Sequence, residues 1–421
     1  VSRGVLIVGG GISGLAAAVQ LQRLGYKIVL LESKDQLGGR VRTIQERPFP
    51  IELGAEFVHG SNPSLLNAVR EAELSLQPVS STNRLFENGR LHSVPLWEQV
   101  GTLVSQVEPR QPDRSFADLS RRFSKRDRQL ALGFVEGFHA ALPELISSHS
   151  LLKAEHASKK QNISEQYRLD HGYGALISAL ARALAAAGGT VITGARLRAV
   201  RWKPGQLTAY TIINRRTESF MAEAALFTVP LGVWKSGEII FTPQLPHKRD
   251  AIDGLEMGHV VKVILIFQTA WWGRDFGFVH AYDEPLPTWW SDPRGPALTG
   301  WAGGSKAVAL LDRSPAQVER TALKTLERIF NEHSLKSQLR AAHYWNWSTD
   351  RDIRGAYSYI PVNSLDLPKL LAAPVKDTLY FAGEATVGDA QMGTVSGALE
   401  SGLRAAAEIS RGLATGGKPL A

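Results

Sequence analysis

The chain has 421 residues, 44% of them hydrophobic and 21% charged, which is too long for one simple core and suits two or three lobes. It contains no cysteine, which excludes disulfides, thiolate metal sites, a cysteine nucleophile and a thioether link to a cofactor, and no metal is expected. The net charge of +8 is scattered, giving little support for a nucleic-acid partner, and no run of about 18 apolar residues suggests a signal peptide or membrane span. The expectation is a cytoplasmic enzyme.

In chain order, Val5 to Val8 form an unbroken apolar run suited to a central parallel strand, and Ile12, Leu15, Ala16 and Val19 then recur at helical spacing. Gly9, Gly11 and Gly14 punctuate the join. The first allows a tight turn, the second lets a pyrophosphate approach the backbone, and the third lets helix and strand pack closely. A second strand ends at Glu32, whose carboxylate is placed to accept from ribose hydroxyls. Strand, glycine turn, helix, strand and acid together predict an adenine dinucleotide site. The following LGGRVRT offers Gly38 and Gly39 as a second turn, with Arg40 and Arg42 in reach of phosphates.

From about residue 81 the pattern changes to polar and helical stretches such as FADLSRRFSKRDRQLALGFVEGFHAAL, which predict an inserted helical substrate lobe. DHGYGALISALARALAAAGG is an alanine-rich helix ended by Gly188 and Gly189, and the strands VITGARLRAVRW and AALFTVPLGV follow. A second stretch without a nucleotide fingerprint contains HVVKVILIF, the tryptophan-bearing AWWGRDF and PTWW, and an amphipathic helix near PAQVERTALKTLERIF. The last segment, TLYFAGEATVGDAQMGTVSGALESGLRAAAEI, reads as strand, glycine-acid turn, loop and a helix beginning near Thr394 whose free amides face whatever precedes it.

Taken together, VLIVGGGISGLAAA, LLESKDQLGGRVRT, IELGAEFVHGSNPSL, DHGYGALISAL, LFTVPLGV, MGHVVKVILIF, WNWSTDRDIRGAYSY and LYFAGEATVGDAQMGTVSGALESGLRAA resemble the flavin-dependent amine oxidase family, most closely its polyamine oxidase branch. The resemblance runs from about residue 4 to 412 in matching order. It implies an α/β fold: a Rossmann-type FAD-binding domain interleaved with an α+β substrate-binding domain, the two-domain plan shared by amine oxidases and p-hydroxybenzoate hydroxylase-like flavoproteins. The expected division is 1-80, 168-240 and 352-421 for the FAD-binding domain, and 81-167 and 241-351 for the substrate-binding domain.

The resemblance further implies a noncovalent FAD. Gly9, Gly11, Gly14, Glu32, Gly39 and Arg40 would hold its ADP half, with Leu197 beside the adenine. Gly54, Ala55, Glu56 and Phe57 would line the flavin ring through their backbone, and Trp347 would pack near it. Gly383 and Glu384, from FAGE, correspond to residues at the ribityl and phosphate region, and Thr394 and Val395 to residues at the pyrimidine edge. A helix N-terminus there suits the negative charge of reduced flavin.

Three residues are expected to carry chemistry. Lys262 sits in the apolar HVVKVILIF, where by itself it reads as a lysine snorkelling from a strand edge; the resemblance instead makes it the lysine that reaches flavin N5 through a water. An amine buried there is expected to lose basicity by desolvation and to assist oxygen reduction or imine hydrolysis. His59 is a histidine shared with the polyamine branch and would bind or deprotonate a substrate nitrogen, an ordinary imidazole titrating near about 6.5. Tyr357 corresponds to one wall of an aromatic cage whose other wall, tyrosine in monoamine oxidases, is Thr394 here. For the outer nitrogens of a polyamine, Glu56, Asp170 and Glu136 are conceivable partners, each also readable as a structural or solvated acid.

The implied activity is oxidation of a small-molecule amine at a carbon–nitrogen bond, with oxygen reduced to hydrogen peroxide and the imine hydrolysed. Monoamine or L-amino-acid oxidase, carotenoid-type desaturase, and a flavin-bound scaffold or peptide-binding module like the lysine-specific histone demethylases are the alternatives. HGSNPS stands where the amino-acid oxidases carry their carboxylate-binding arginine.

Overall fold

A computed structural model describes residues 4–46, 49–273, 276–388 and 391–415, so the outer limits of the expected domains, at 1 and 421, lie outside the described residues. The opening strand Gly4–Val8 is the middle of a five-stranded parallel sheet. Lys27–Leu31 and Thr190–Ile192 lie to one side, Ala224–Phe227 and Leu379–Phe381 to the other. Its all-apolar sequence follows from burial on both faces. On one face Ile7 packs with Leu15 and Ala18 of helix Ile12–Arg23 and with helices Tyr173–Ala186 and Val395–Thr415. On the other, Leu6 and Val8 meet Leu197, Val200 and Leu207 of a four-stranded sheet. Residues 9–378, most of the chain, separate the first and last strands of this layer, which is why its cofactor motifs are dispersed.

A second, seven-stranded sheet runs Leu339–Trp345, Val260–Phe267, Ala297–Gly303, Thr288–Asp292, Phe278–His280, Asn83–Glu87 and Arg90–Ser93 in spatial order. Every residue of Val260–Phe267 is buried. Val261, Val263 and Leu265 face helix Pro315–Phe330 through Val318, Ala322 and Leu326. The period of two therefore turns Lys262 to the opposite face, toward the parallel sheet.

Helices Leu96–Val104, Lys125–His139 and Ser148–Gln161 share a core around Val100, Leu130, Val135 and Leu151 and roof that face. The sequence reading anticipated helices from residue 81, but the lobe begins with a hairpin that extends the large sheet. Asn88 and Gly89 turn it with φ of 52° and 74°, the left-handed pair a tight hairpin requires. Among the described residues no helix is long and apolar enough to cross a membrane.

Candidate active site

One cavity of about 430 Å³ runs between the two sheets. At its first end the three glycines do different things. Gly9 has φ +111° and no room for a side chain beside Thr228. A Cβ on Gly14 would fall 2.0 Å from Gly9 O, so this glycine sets the close packing of helix on strand and does not itself line the cavity. A Cβ on Gly11 would meet nothing nearer than Gly38 O at 3.9 Å, so its backbone borders open space. Gly39, with φ +59°, lines the same wall.

Glu32 is 6% exposed and accepts hydrogen bonds from the amides of Gly10 (2.7 Å) and Lys34 (2.9 Å). Burial raises its pKa, and these amides oppose the rise. Leu197 is buried on the neighbouring wall. A buried acid, open glycine backbone and an apolar wall fit the adenosine and pyrophosphate of a dinucleotide.

Arg40 and Glu384 meet midway: Nη1 of Arg40 donates to Glu384 Oε1 at 2.7 Å and to Ala356 O at 2.8 Å. The other oxygen of Glu384 accepts from the amides of Ser358 and Gly393 and from the Ser358 hydroxyl, so this carboxylate ties three distant segments beside Gly383. Arg42 does not join them. Its guanidinium lies over the Trp345 ring at 5.3 Å and it does not line the cavity, which corrects its expected reach to phosphate.

Gly54 and Ala55 border the next stretch, where a Cβ on Gly54 would strike Arg40 O and approach Trp347. Trp347 is buried edge-on to Trp345. Thr394 caps the helix beginning at Val395, accepting from the Gly397 amide at 2.9 Å, so its hydroxyl is committed to the helix start that the sequence places there.

Lys262 is 2% exposed, which removes the snorkelling alternative, and it is not an isolated amine. Nζ donates to Glu56 Oε2 at 2.8 Å and to Gly54 O at 3.2 Å. Glu56 Oε1 meets Arg168 at 2.8 Å and accepts from Trp290 Nε1 at 2.9 Å. Burial alone would raise the Glu56 carboxyl, but the Lys262 and Arg168 cations, with hydrogen bonds from Lys262 and Trp290, bring it down to about 2. This buried chain of cation, anion and cation corrects the picture of a lone desolvated lysine. It also removes Glu56 as a free partner for an outer substrate nitrogen.

The other two acids considered for that task lie off the cavity. Asp170 accepts from Gln77 at 3.4 Å, and Glu136 accepts from the Ser305 amide at 3.2 Å.

His59 lines the cavity edge-on to Phe57 and Phe138, its Nδ1 without a protein partner. Burial lowers its pKa to about 4, so the imidazole is neutral at working pH. Tyr357 donates its hydroxyl to Phe138 O at 2.9 Å and so offers its ring to the cavity; burial and the Glu384 carboxylate push its phenol pKa up. Trp97, Phe134 and Phe138 form an edge-to-face and stacked aromatic roof further along.

Arg168, Trp290, Trp301 and His280 are cavity or site residues the sequence reading missed. Of these, Trp290 lies in PTWW, a segment the sequence sets apart by its tryptophans.

A parallel dinucleotide-binding sheet interleaved with a large mixed sheet that delivers a buried lysine to the far end of the cofactor cavity defines a two-domain FAD-dependent oxidoreductase. Residues 12–119 and 102–410 match the model of the flavin containing amine oxidoreductase family, and the chain belongs to that family. Among its relatives, polyamine oxidase 2 of Arabidopsis thaliana is 30% identical over 442 residues, covering 96% of this chain and 87% of the relative. Lysine-specific histone demethylase 1 homolog 1 of Oryza sativa subsp. japonica is 30% identical over 97% of this chain but only 52% of its own length. Among solved structures, a putrescine oxidase has TM-score 0.83 and 21% identity over 98% of this chain and 99% of that one. The cyclohexylamine oxidase of Brevibacterium oxydans IH-35A has TM-score 0.83 and 20% identity, covering 98% and 100%; at these identities the likeness concerns the fold.

Proposed function

We propose that the protein oxidises a polyamine, free or N-acylated, at a carbon–nitrogen bond, using a noncovalent FAD and oxygen. The observation that carries this reading is the continuity of one cavity from Glu32, past the Lys262–Glu56–Arg168 chain, into an aromatic extension beyond it. The full-length similarity to polyamine oxidases favours the polyamine over a monoamine. A bound FAD would supply the acceptor for a hydride equivalent from the carbon beside the nitrogen, with oxygen as the final oxidant.

The chain's own residues supply the rest. Gly11, Gly39 and Arg40 would hold the pyrophosphate, Glu32 and Leu197 the adenosine, and Glu384 the position of Arg40. Glu56 fixes the Lys262 ammonium, and the three groups together carry one net positive charge that favours negative charge developing beside them. Neutral His59 is an acceptor for a substrate N–H or a positioned water. Tyr357 and Trp347 present apolar rings, and desolvation there favours the neutral amine, the form able to react. The division into 1-80, 168-240 and 352-421 for cofactor and 81-167 and 241-351 for substrate is part of the same reading. It is supported by the parallel sheet drawing its strands from the first set and the seven-stranded sheet from the second.

Anaerobic mixing of the yellow holoprotein with spermine, spermidine, N-acetylated polyamines, monoamines and amino acids tests this by flavin bleaching. Polyamines are expected to bleach it fastest. No bleaching by any amine refutes the reading.

A further inference from the structure

Beyond the Lys262–Glu56–Arg168 chain the cavity follows the seam between helices Leu96–Val104 and Ser148–Gln161. Trp97 and Val100 of the first line it, with Leu151, Ala154, Glu155 and Ser158 of the second. Those four recur at steps of three, one and three residues, so they form one helix face, and its single ionisable side chain is Glu155. A line of rings leads there from the reacting end. Trp290 lies 5.7 Å from Lys262 Nζ, and Phe57, His59, Phe138 and Trp97 follow with successive centroids between 5.1 and 6.2 Å apart. Gly101 is one helical turn beyond Trp97, and the Glu155 carboxylate rests over it: a Cβ there would fall 2.5 Å from Oε1.

This carboxylate is open. Its side chain is 18% exposed; Oε1 pairs with Lys159 at 3.1 Å, while Oε2 accepts no hydrogen bond from the described residues and keeps accessible surface. Lys159 is 62% exposed and does not line the cavity, so water screens the pair and the lysine is readily displaced. The other acids lining the cavity are held more firmly. Glu32 accepts two backbone amides at the adenosine end, and Glu56, Glu238, Asp352 and Glu384 each face an arginine. His59, His139 and His280, which also line the cavity, add no positive charge at neutral pH, since burial lowers each to about 4. An ionised oxygen at the end of a row of rings suits an ammonium on an alkyl chain: the rings cover the methylenes and the carboxylate meets the charge.

We propose that Glu155 Oε2 receives the outer ammonium of a substrate whose other nitrogen is oxidised beside Lys262, with the alkyl chain between them lying along the Phe138 and Trp97 rings. Glu155 is then a specificity residue that favours a free polyamine over its N-acylated form, and Lys159 is a competitor for the same carboxylate. The proposal rests on the amine-oxidase reading and names the charge that the substrate must carry at its far end.

The test is anaerobic flavin reduction in the holoprotein, followed against amine concentration so that half-saturation and limiting rate are read separately. The amines are diaminooctane, diaminodecane and diaminododecane, each beside its N-monoacetyl derivative, which has similar reach and one charge fewer, with octylamine as the chain that lacks a second nitrogen. In the unaltered protein a diamine of at least one length is expected to half-saturate at lower concentration than its acetylated partner. Glu155→Gln is expected to cut that advantage about tenfold, the lower end for a hydrogen bond between charged groups, while the limiting rates and the octylamine half-saturation stay as they were. No diamine advantage in the unaltered protein, an undiminished advantage in the variant, or equal weakening of all the amines overturns the proposal. Where the glutamine variant fails to fold, Lys159→Met decides: loss of the competing ammonium is expected to lower the half-saturation of the diamine alone, and an unchanged value overturns the proposal. Failure of the amine-oxidase reading is read separately, as the absence of flavin bleaching by any amine in the unaltered protein.

Discussion

Replacing Glu56 by glutamine keeps the size of the side chain and removes the negative charge that pairs with both Lys262 and Arg168. In the native protein this carboxylate is 7% exposed and faces two cations at 2.8 Å. Its pKa falls from 4.5 to about 2 on folding, a depression worth on the order of 3 kcal/mol at neutral pH. Breaking a buried pair by removing one partner costs about 3–5 kcal/mol, so the two routes agree on magnitude.

The sign follows from the direction of the shift. A depressed carboxyl stabilises the fold above its unfolded pKa, and that contribution is lost as pH falls from about 4.5 through about 2. Glu56→Gln is therefore expected to unfold several degrees below the unaltered protein at pH 7, with the gap closing between pH 4.5 and 2. Thermal unfolding by circular dichroism across that range measures it. An equal melting temperature at pH 7, or a gap that persists undiminished in acid, refutes the assignment of an ionised Glu56 holding both cations.

Two further outcomes follow from the same site. Lys262→Met is expected to leave FAD bound, since no part of the dinucleotide end depends on it, while slowing turnover or reoxidation severely; stopped-flow traces matching the unaltered protein would dismiss the lysine from the chemistry. His59 is neutral over the working range because burial lowers its pKa from 6.5 to about 4, so it stabilises the fold above pH 6.5 and that contribution is lost between 6.5 and 4. Its ring proton shifts should stay flat from pH 8 to 6 in NMR spectra, and a midpoint near 6.5 would contradict the buried, neutral imidazole.

Much of the cofactor end was legible because its information is local. The glycine turn, the first helix and the strand ending in Glu32 are contiguous, and each glycine answers a constraint set within a few residues, as the clash of a Gly14 Cβ with Gly9 O makes plain. The helix start at Thr394 was legible for the same reason, since a capping hydroxyl bonds an amide three residues on.

The sequence by itself therefore determined that this protein binds an adenine dinucleotide, and the resemblance carried by its dispersed motifs identified the family. Only the tertiary structure decided how the reacting end is charged and how far the cavity extends. Glu56 and Lys262 lie 206 residues apart, and Glu56 and Arg168 lie 112 apart. Nothing in GAEFVHG distinguishes an acid gripping two cations from one awaiting a substrate. Arg42 equally had a phosphate and a tryptophan ring within its conceivable reach, and packing chose the ring. The row that sets Lys262, Trp301, Thr288 and His280 opposite one another along the cavity exists only through strand register across the large sheet, and a one-residue slip in any strand would turn its member to the opposite face. Side-chain period tells which residues share a face within a strand; which strands lie side by side, and in what register, is settled by packing of the whole chain.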